Sequence, residues 1–382
     1  MDKQENVYQR LRREIDKLPI PYPETKSGVE IKLLKHLFKP AEAEIAVNLN
    51  ILPENLKRIH KRVKKNGINI SAGELEEKLD TLVKKGSIIG GRYYESKGKG
   101  KIYSLAPLAI GMFENQIDRL TKEFARDFER YMKENFSDEV VNVKTVQMRT
   151  VPVNTSITPE RRVEPYMDMR EYVKNIKDDI TVTNCVCRQS NDVTGHKCKH
   201  SNIRETCLQF HDSARHVLGL GVARKITNEE ALAIMDRAEK AGFIFNPQNS
   251  QEPQFLCCCD GDCCHVLRAL KMYPRPAEMI KSNYYMVIDA AQCKGCKKCV
   301  EKCPMDAISM KDKTAMVNLD RCIGCGVCAA PCKNNAHMLR KKENTQVPPK
   351  NHDALYQKIM TERFGTGRVL TMAAKYMAGL KA

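Results

Sequence analysis

The sequence predicts an α+β chain of several domains: helices closing on a two-stranded hairpin, a cysteine-rich middle, and a C-terminal unit built on a repeated cysteine motif. Three observations carry this prediction. Apolar residues recur at helical spacing from Gly28 onward and give way to two short β-type runs that end near Leu105. All 17 cysteines lie between Cys185 and Cys332. The spacing C-x2-C-x2-C-x3-C occurs twice within that span, from Cys293 and from Cys322.

Composition bounds the function. A chain of 382 residues is long enough for two or three domains with buried cores. No apolar run approaches bilayer length; the longest, Leu105 to Phe113, is about half of it, so no transmembrane segment is expected. The first residues, MDKQENVYQRLRREIDK, are charged and hold no apolar signal region, which suggests a cytoplasmic protein. In a reducing compartment such a density of cysteine points to metal ligation rather than disulfides. The formal charge of +17 is spread along the length without a long basic block. It suggests a field for docking an acidic protein partner before it suggests nucleic acid.

The elements follow in order. A short charged helix precedes the breaker Pro19-Ile20-Pro21-Tyr22-Pro23. Ile31, Leu33, Leu34, Leu37 and Phe38 mark a helix, Ala41 to Leu49 a second, and the residues after Pro53 a third. A fourth opens at Ser71-Ala72-Gly73-Glu74, a capping box, and turns Leu75, Leu79 and Leu82 inward. Ser87-Ile88-Ile89 and Ile102 to Leu105 read as strands around the basic turn Lys97-Gly98-Lys99-Gly100. This order resembles a winged helix over roughly residues 28–108, by outline rather than by a diagnostic motif. Residues 109–136 read as a long amphipathic helix, and 143–165 as extended and punctuated by proline. Thr227-Asn228-Glu229-Glu230 caps a helix that ends near Gly242.

The strongest signal is Cys293-x2-Cys296-x2-Cys299-x3-Cys303-Pro304 followed by Cys322-x2-Cys325-x2-Cys328-x3-Cys332. It resembles the bacterial ferredoxins that carry two [4Fe-4S] clusters, over about fifty residues. In those proteins each C-x2-C-x2-C loop serves one cube and the fourth cysteine serves the other. The resemblance implies one cluster on Cys293, Cys296, Cys299 and Cys332, and another on Cys322, Cys325, Cys328 and Cys303. The runs Tyr285 to Ile288 and Ala307 to Met310 suit short covering strands, and Gly295, Gly324 and Gly326 give backbone freedom beside the irons. The alternatives, unligated buried thiols or zinc, fit eight ligands in register twice poorly. One departure stands out: Lys333 follows Cys332, and Pro331 precedes it. Lys294, Lys297, Lys298 and Lys302 crowd the first loop, either as a solvated face or as an attractor for an acidic redox partner.

Nine further cysteines lie upstream: Cys185, Cys187, Cys198 and Cys207, then Cys257, Cys258, Cys259, Cys263 and Cys264. Read as extended, the C-x-C pair places Cys185 and Cys187 on one side of a strand, with Cys198 and Cys207 able to close a four-thiolate site. Arg188 is placed to donate to a sulfur. Cys257 and Cys259 alternate to one face before an Asp-Gly turn returns Cys263 and Cys264. One or two extra iron-sulfur clusters, zinc helped by His196, His200 and His265, and metal-free thiols all stay open. From the C-x-C-Arg segment to the last motif, this half also resembles uncharacterised iron-sulfur proteins of anaerobes, which implies extra metal but assigns no ligand.

The expected organisation is a helical arm (1–27), a winged-helix-like domain plus long helix (28–136), an extended linker (137–183), a cysteine-rich metal-binding domain (184–283), a dicluster ferredoxin-like domain (284–345) and a helical tail (346–382). The function this implies is single-electron transfer to or from a larger anaerobic oxidoreductase, with the helical module and tail as docking elements. No dinucleotide fingerprint, P-loop or nucleophile-base pair appears, so no catalytic residue is assigned. The rival reading is a redox-sensing transcription regulator. Against it, the helix before the hairpin, which in a winged helix meets the major groove, carries Glu74, Glu76, Glu77 and Asp80.

Overall fold

The computed structural model describes residues 3–91, 100–157 and 163–381, and it mixes helix and sheet throughout. The turn residues Lys97, Gly98 and Lys99 lie outside the described residues. The chain divides into two compact units. One contains residues 1–140, 212–224 and 356–382; the other contains residues 141–211 and 225–355.

The first unit begins with the helix Lys3–Ile15, which buries Val7, Tyr8, Leu11 and Ile15 along one stripe. Helices Val29–Leu37, Pro40–Ala46, Leu56–Lys65 and Ala72–Lys84 follow. The last opens on a reciprocal cap: Ser71 Oγ accepts from the Glu74 amide at 3.2 Å, and the Ser71 amide donates to Glu74 Oε2 at 2.9 Å. Its apolar stripe, Leu75, Leu79 and Leu82, is fully buried. Strands Ile88–Gly91 and Ile102–Leu105 pair antiparallel with Ile88 opposite Leu105, and Glu54–Asn55 pairs on the far side of the second.

Residues 109–136 do not form the single long helix that their periodicity predicts. A π-helical turn, Leu108–Met112, breaks at Ile110 (φ 53°), and Asp118 also turns left-handed. Regular α-helix starts only at Lys122, where Thr121 Oγ1 accepts from the Phe124 amide, and passes after Tyr131 into a second π-helical turn. Asn115 explains the break: its buried side chain donates to the Gly86 carbonyl at 3.1 Å, anchoring the chain where a helix would have carried it away.

The C-terminal residues from Tyr356 onward belong to this unit. Arg363 Nη1 donates to the Asp16 and Leu18 carbonyls at 2.5 and 2.6 Å, Tyr376 Oη donates to Pro53 O at 2.6 Å, and Lys381 pairs with Glu14 at 2.8 Å. Leu370, Met377 and Leu380 remain exposed.

The second unit is built on a five-stranded sheet in the order Arg224–Ile226, Ile180–Asn184, Glu205–Phe210, Phe255–Cys259, Ile244–Pro247. Part of the segment 137–183, which reads from sequence as linker, is woven into it. Met148 and Val151 bridge to Gln248 and Phe245, and the buried Arg149 donates to the carbonyls of Gln248, Ser250 and Tyr166. Thr227 Oγ1 caps the helix Asn228–Lys240. Two small antiparallel ribbons complete the unit, Tyr284–Ile288 with His337–Lys341 and Ile308–Lys311 with Thr314–Val317.

Candidate metal centres

The two ribbons enclose the repeated cysteine motifs and form two cavities. The first is lined by Cys303, Cys322, Cys325 and Cys328 under an apolar cover that includes Met286, Met305, Ile308 and Val317. The second is lined by Cys293, Cys296, Cys299 and Cys332, with Lys294, Lys297 and Lys298 at its wall. Their empty volumes, open mouths included, are about 340 and 330 Å³. Each cavity thus gathers three cysteines from one motif and the last cysteine of the other. The two differ in shelter. Cys322, Cys325 and Cys328 are all buried, whereas Cys296 is exposed.

Backbone geometry makes these loops. Gly324 has φ +65°, and a Cβ there would lie 2.1 Å from the Tyr284 carbonyl oxygen, so only glycine lets the loop press against the strand. Backbone amides face the sulfurs: Met286 N donates to Cys322 Sγ at 3.4 Å, Ala307 N to Cys303 Sγ at 3.2 Å, and Ala315 N to Cys293 Sγ at 3.4 Å. These donors favour thiolate over thiol. Burial, reinforced by neighbouring sulfurs, pushes Cys325 and Cys328 well above the ordinary thiol range, and burial also raises Cys303 and Cys299. Four crowded thiolates in an apolar pocket need positive charge among them, which iron supplies. His337 adds a second sign of fit. Its buried imidazole lines the second cavity, and neither ring nitrogen has a hydrogen-bond partner among the described residues. The inorganic sulfide of a cluster is the kind of acceptor such a ring lacks.

The nine upstream cysteines separate into three sets. Cys185 is the N-cap of the helix Val186–Thr194 and Cys187 lies in its first turn, so the C-x-C segment is a helix start and not a strand. The helical turn still brings the pair together, because Cys187 and Cys207 are the neighbours that act most strongly on Cys185. Cys207 stands directly opposite Cys257 across two strands. Cys257 and Cys259 share a strand face, as alternation requires, and act on each other electrostatically. Cys264 reaches both Cys259 and Cys187. These contacts pull Cys185 and Cys264 far below the ordinary thiol range and hold Cys187, Cys207 and Cys257 far above it.

Cys198 does not join Cys185, Cys187 and Cys207 in a four-thiolate site. It lies with Asp260 and Cys263, the one group of three or more such side chains among the described residues whose ligand atoms are all within 4.8 Å. The reason is the Asp260 turn. Asp260 Oδ1 accepts from the amides of Asp262 and Cys263, which swings Cys263 away from Cys264, and Cys198 Sγ lies 3.5 Å from Oδ2. Cys258 points to the other strand face and is pushed up to about 12 by burial. His196 and His200 are exposed and His265 is buried; none of the three belongs to that group.

Among the described residues, the Arg188 side chain donates to oxygen rather than to sulfur. Nε and Nη2 hold Asp260 Oδ2 at 3.0 and 2.9 Å, Nη1 donates to Thr206 Oγ1 at 2.5 Å, and Nη2 reaches the Cys258 carbonyl at 3.2 Å. Its guanidinium stacks 4.0 Å above the Phe243 ring. Burial opposes its charge, but Cys185, Asp260 and Cys259 together raise its pKa further. Sequence reasoning alone does not reach Asp260 or Thr206; the Asp in Cys259-Asp260-Gly261 offers one signal, as a turn former.

Residues 285–333 match the 4Fe-4S dicluster domain family. An uncharacterised ferredoxin of Methanocaldococcus jannaschii is 37% identical over 86 residues, 22% of this chain and 51% of that protein. A component of an ion-translocating oxidoreductase complex from Methanosarcina acetivorans is 42% identical over 48 residues, 13% of this chain and 18% of that component. A dihydromethanopterin reductase (acceptor) of Methanosarcina mazei is 46% identical over 52 residues, 13% of this chain and 22% of that enzyme. The chain therefore spans about half the length of the first and about a fifth of the other two. No solved structure matches. The C-terminal motifs thus form a dicluster domain of ferredoxin type. Among the described residues, no helix is long and apolar enough to cross a membrane.

Proposed function

We propose that this chain is an electron-transfer iron-sulfur protein that passes single electrons to or from a larger oxidoreductase of an anaerobe's cytoplasm. The observation that carries the reading is the pair of cavities, each lined by four cysteines drawn from both motifs. Cys293, Cys296, Cys299 and Cys332 would hold one [4Fe-4S] cluster, and Cys303, Cys322, Cys325 and Cys328 the other. A bound cluster of this type supplies reversible one-electron chemistry. The protein supplies four soft donors per site, amide hydrogen bonds that steady the thiolates, and apolar cover over the more deeply buried set.

The exposed Cys296, flanked by Lys294, Lys297 and Lys298, marks the face where an acidic partner would meet the chain. The relatives that belong to oxidoreductases support a redox partner of that class. We read the helices from Val29 to Lys84 and the hairpin after them as a winged-helix-like docking module. A DNA-binding role fits less well, because the helix Ala72–Lys84 presents Glu74, Glu76, Glu77 and Asp80.

Iron and acid-labile sulfide counted on anaerobically prepared protein, with EPR of the dithionite-reduced state, test the reading. At least about eight irons per chain and the spectrum of two interacting reduced clusters are expected. Far fewer irons in protein shielded from oxygen would sink it.

A further inference from the structure

We propose that Cys185, Cys187, Cys207, Cys257, Cys259 and Cys264 together hold one further polynuclear iron-sulfur centre, and that Cys198, Cys258 and Cys263 are not its ligands. The first observation is closure. Each of the six thiols has two others as its interacting neighbours, in the order 185, 187, 264, 259, 257, 207 and back to 185, and Cys207 stands opposite Cys257 across the sheet. Four separate pieces of backbone build this ring: one helix start, two neighbouring strands and the turn before the helix His265–Lys271. A ring of like side chains assembled from that many elements is not a by-product of one strand's alternation.

The second observation is the environment. Cys185, Cys259 and Cys264 are buried, and Cys187, Cys207 and Cys257 are only partly exposed. Six soft sulfur donors with no histidine in the ring suit iron-sulfur chemistry over a mixed nitrogen-sulfur site. The buried Arg188, held by Asp260 and Thr206 and 1% exposed, places a fixed positive charge beside Cys185 and Cys259. A cation built in next to a thiolate ring offsets the negative charge that a thiolate-rich cluster carries.

The third observation sets the nuclearity. Four thiolates on one tetrahedral zinc at about 2.3 Å lie only about 3.8 Å apart. Yet the one group of ligand-type side chains packed within 4.8 Å of one another, among the described residues, excludes all six ring members. The eight cysteines of the dicluster domain are absent from that group in the same way. No three of the six sulfurs therefore lie within 4.8 Å of one another, a spacing too open for a single tetrahedral ion. A single cube uses about four terminal thiolates, so six point to a larger or differently bridged core.

The inference extends the iron-sulfur reading of the chain, and one set of measurements separates the two. Iron, sulfide and zinc are quantified per chain on the anaerobic full-length protein, with Mössbauer and EPR spectra, for wild type, the double variant Cys257→Ser/Cys259→Ser, and Cys258→Ser. Wild type is expected to exceed about eight irons, with the excess giving Mössbauer components beyond those of two cubes. The double variant should lose about a third or more of total iron while keeping the reduced EPR spectrum of the dicluster domain, which also reports that it folds. Cys258→Ser should keep all its iron. Wild type whose iron is about eight and all accounted for by the dicluster spectrum, zinc at one or more per chain lost in the double variant, or equal iron loss in Cys258→Ser would each overturn the proposal. If the dicluster spectrum is missing from wild type while the excess iron is present, the electron-carrier reading fails and this one stands.

Discussion

Arg188 and Asp260 form an ion pair at 2.9 Å whose two side chains are 1% and 3% exposed. Neither charge reaches water, so each is held in place by the other and by the groups around it. Removing one partner leaves the other buried and uncompensated, which costs about 3–5 kcal/mol. Arg188→Met should therefore lower the urea midpoint strongly, although methionine fills much of the same space. Arg188→Lys should rescue little, because an ammonium cannot serve Asp260, Thr206 and the Cys258 carbonyl from one plane. A lysine variant of wild-type stability would show that the fork geometry does not matter.

Gly324 gives a backbone counterpart. A Cβ at this position would sit 2.1 Å from the Tyr284 carbonyl oxygen, on a loop whose φ is +65°. Gly195 has a similarly positive φ, +93°, but open space where a Cβ would go. Gly324→Ala should cost about 2–4 kcal/mol and displace the loop that carries Cys322 and Cys325. Gly195→Ala should cost only about 1 kcal/mol, from the left-handed backbone alone. Thermal unfolding of the two variants side by side, with iron content, checks this contrast. Equal losses would mean the close approach to Tyr284 is not what glycine is there for.

His216 makes the first unit sensitive to acid. Its imidazole is buried, with Nε2 3.1 Å from Asn115 Oδ1, and burial depresses its pKa from 6.5 to about 4. A histidine whose folded pKa lies below its unfolded value must be neutral to fold. Its contribution is complete above the unfolded pKa, near 6.5, and is lost as pH falls through the window down to about 4. The loss is on the order of 3 kcal/mol. Urea titrations should show the first unit weakening across that window, and His216→Gln should flatten the dependence. A His216→Gln variant with an unchanged acid slope would assign the effect to other groups.

The parts legible in the sequence are those set by short-range rules. The Ser71–Glu74 cap, the apolar stripe behind it and the alternation of Cys257 and Cys259 each depend on residues a few positions apart. The repeated C-x2-C-x2-C-x3-C spacing belongs here too, and it marks the dicluster domain without help from tertiary structure. What cannot be read depends on distant partners. The C-x-C pair reads as a strand because alternation and a helix start both bring residues i and i+2 near one another, and only the following residues of Val186–Thr194 decide between them. Cys198 groups with its neighbours in sequence, whereas Asp260, more than sixty positions away, draws it toward Cys263. Residues 109–136 have helical periodicity, but Asn115 anchors to Gly86 and breaks them.

The helix Ala72–Lys84 and its neighbours bear on nucleic-acid binding. Lys101, at the foot of the hairpin, pairs with Glu76 at 3.1 Å and Asp80 at 2.5 Å, and Tyr103 Oη donates to Asp80 at 2.7 Å. Arg62 is engaged by the buried Glu54. Arg58 donates to the Tyr376 carbonyl at 3.1 Å and lies over the same residue's ring. Cations that would meet phosphate are thus committed inside the unit, and the acidic face of the helix adds repulsion. In a gel-shift titration at physiological salt, the protein should bind duplex DNA only in the non-specific range, about 10⁻⁴–10⁻⁶ M, with equal affinity for unrelated sequences. Binding should also weaken steeply with added salt, because the remaining lysines act only by releasing counterions. Selective binding tighter than about 10⁻⁸ M, the range of specific regulators, would overturn the docking role assigned to this unit.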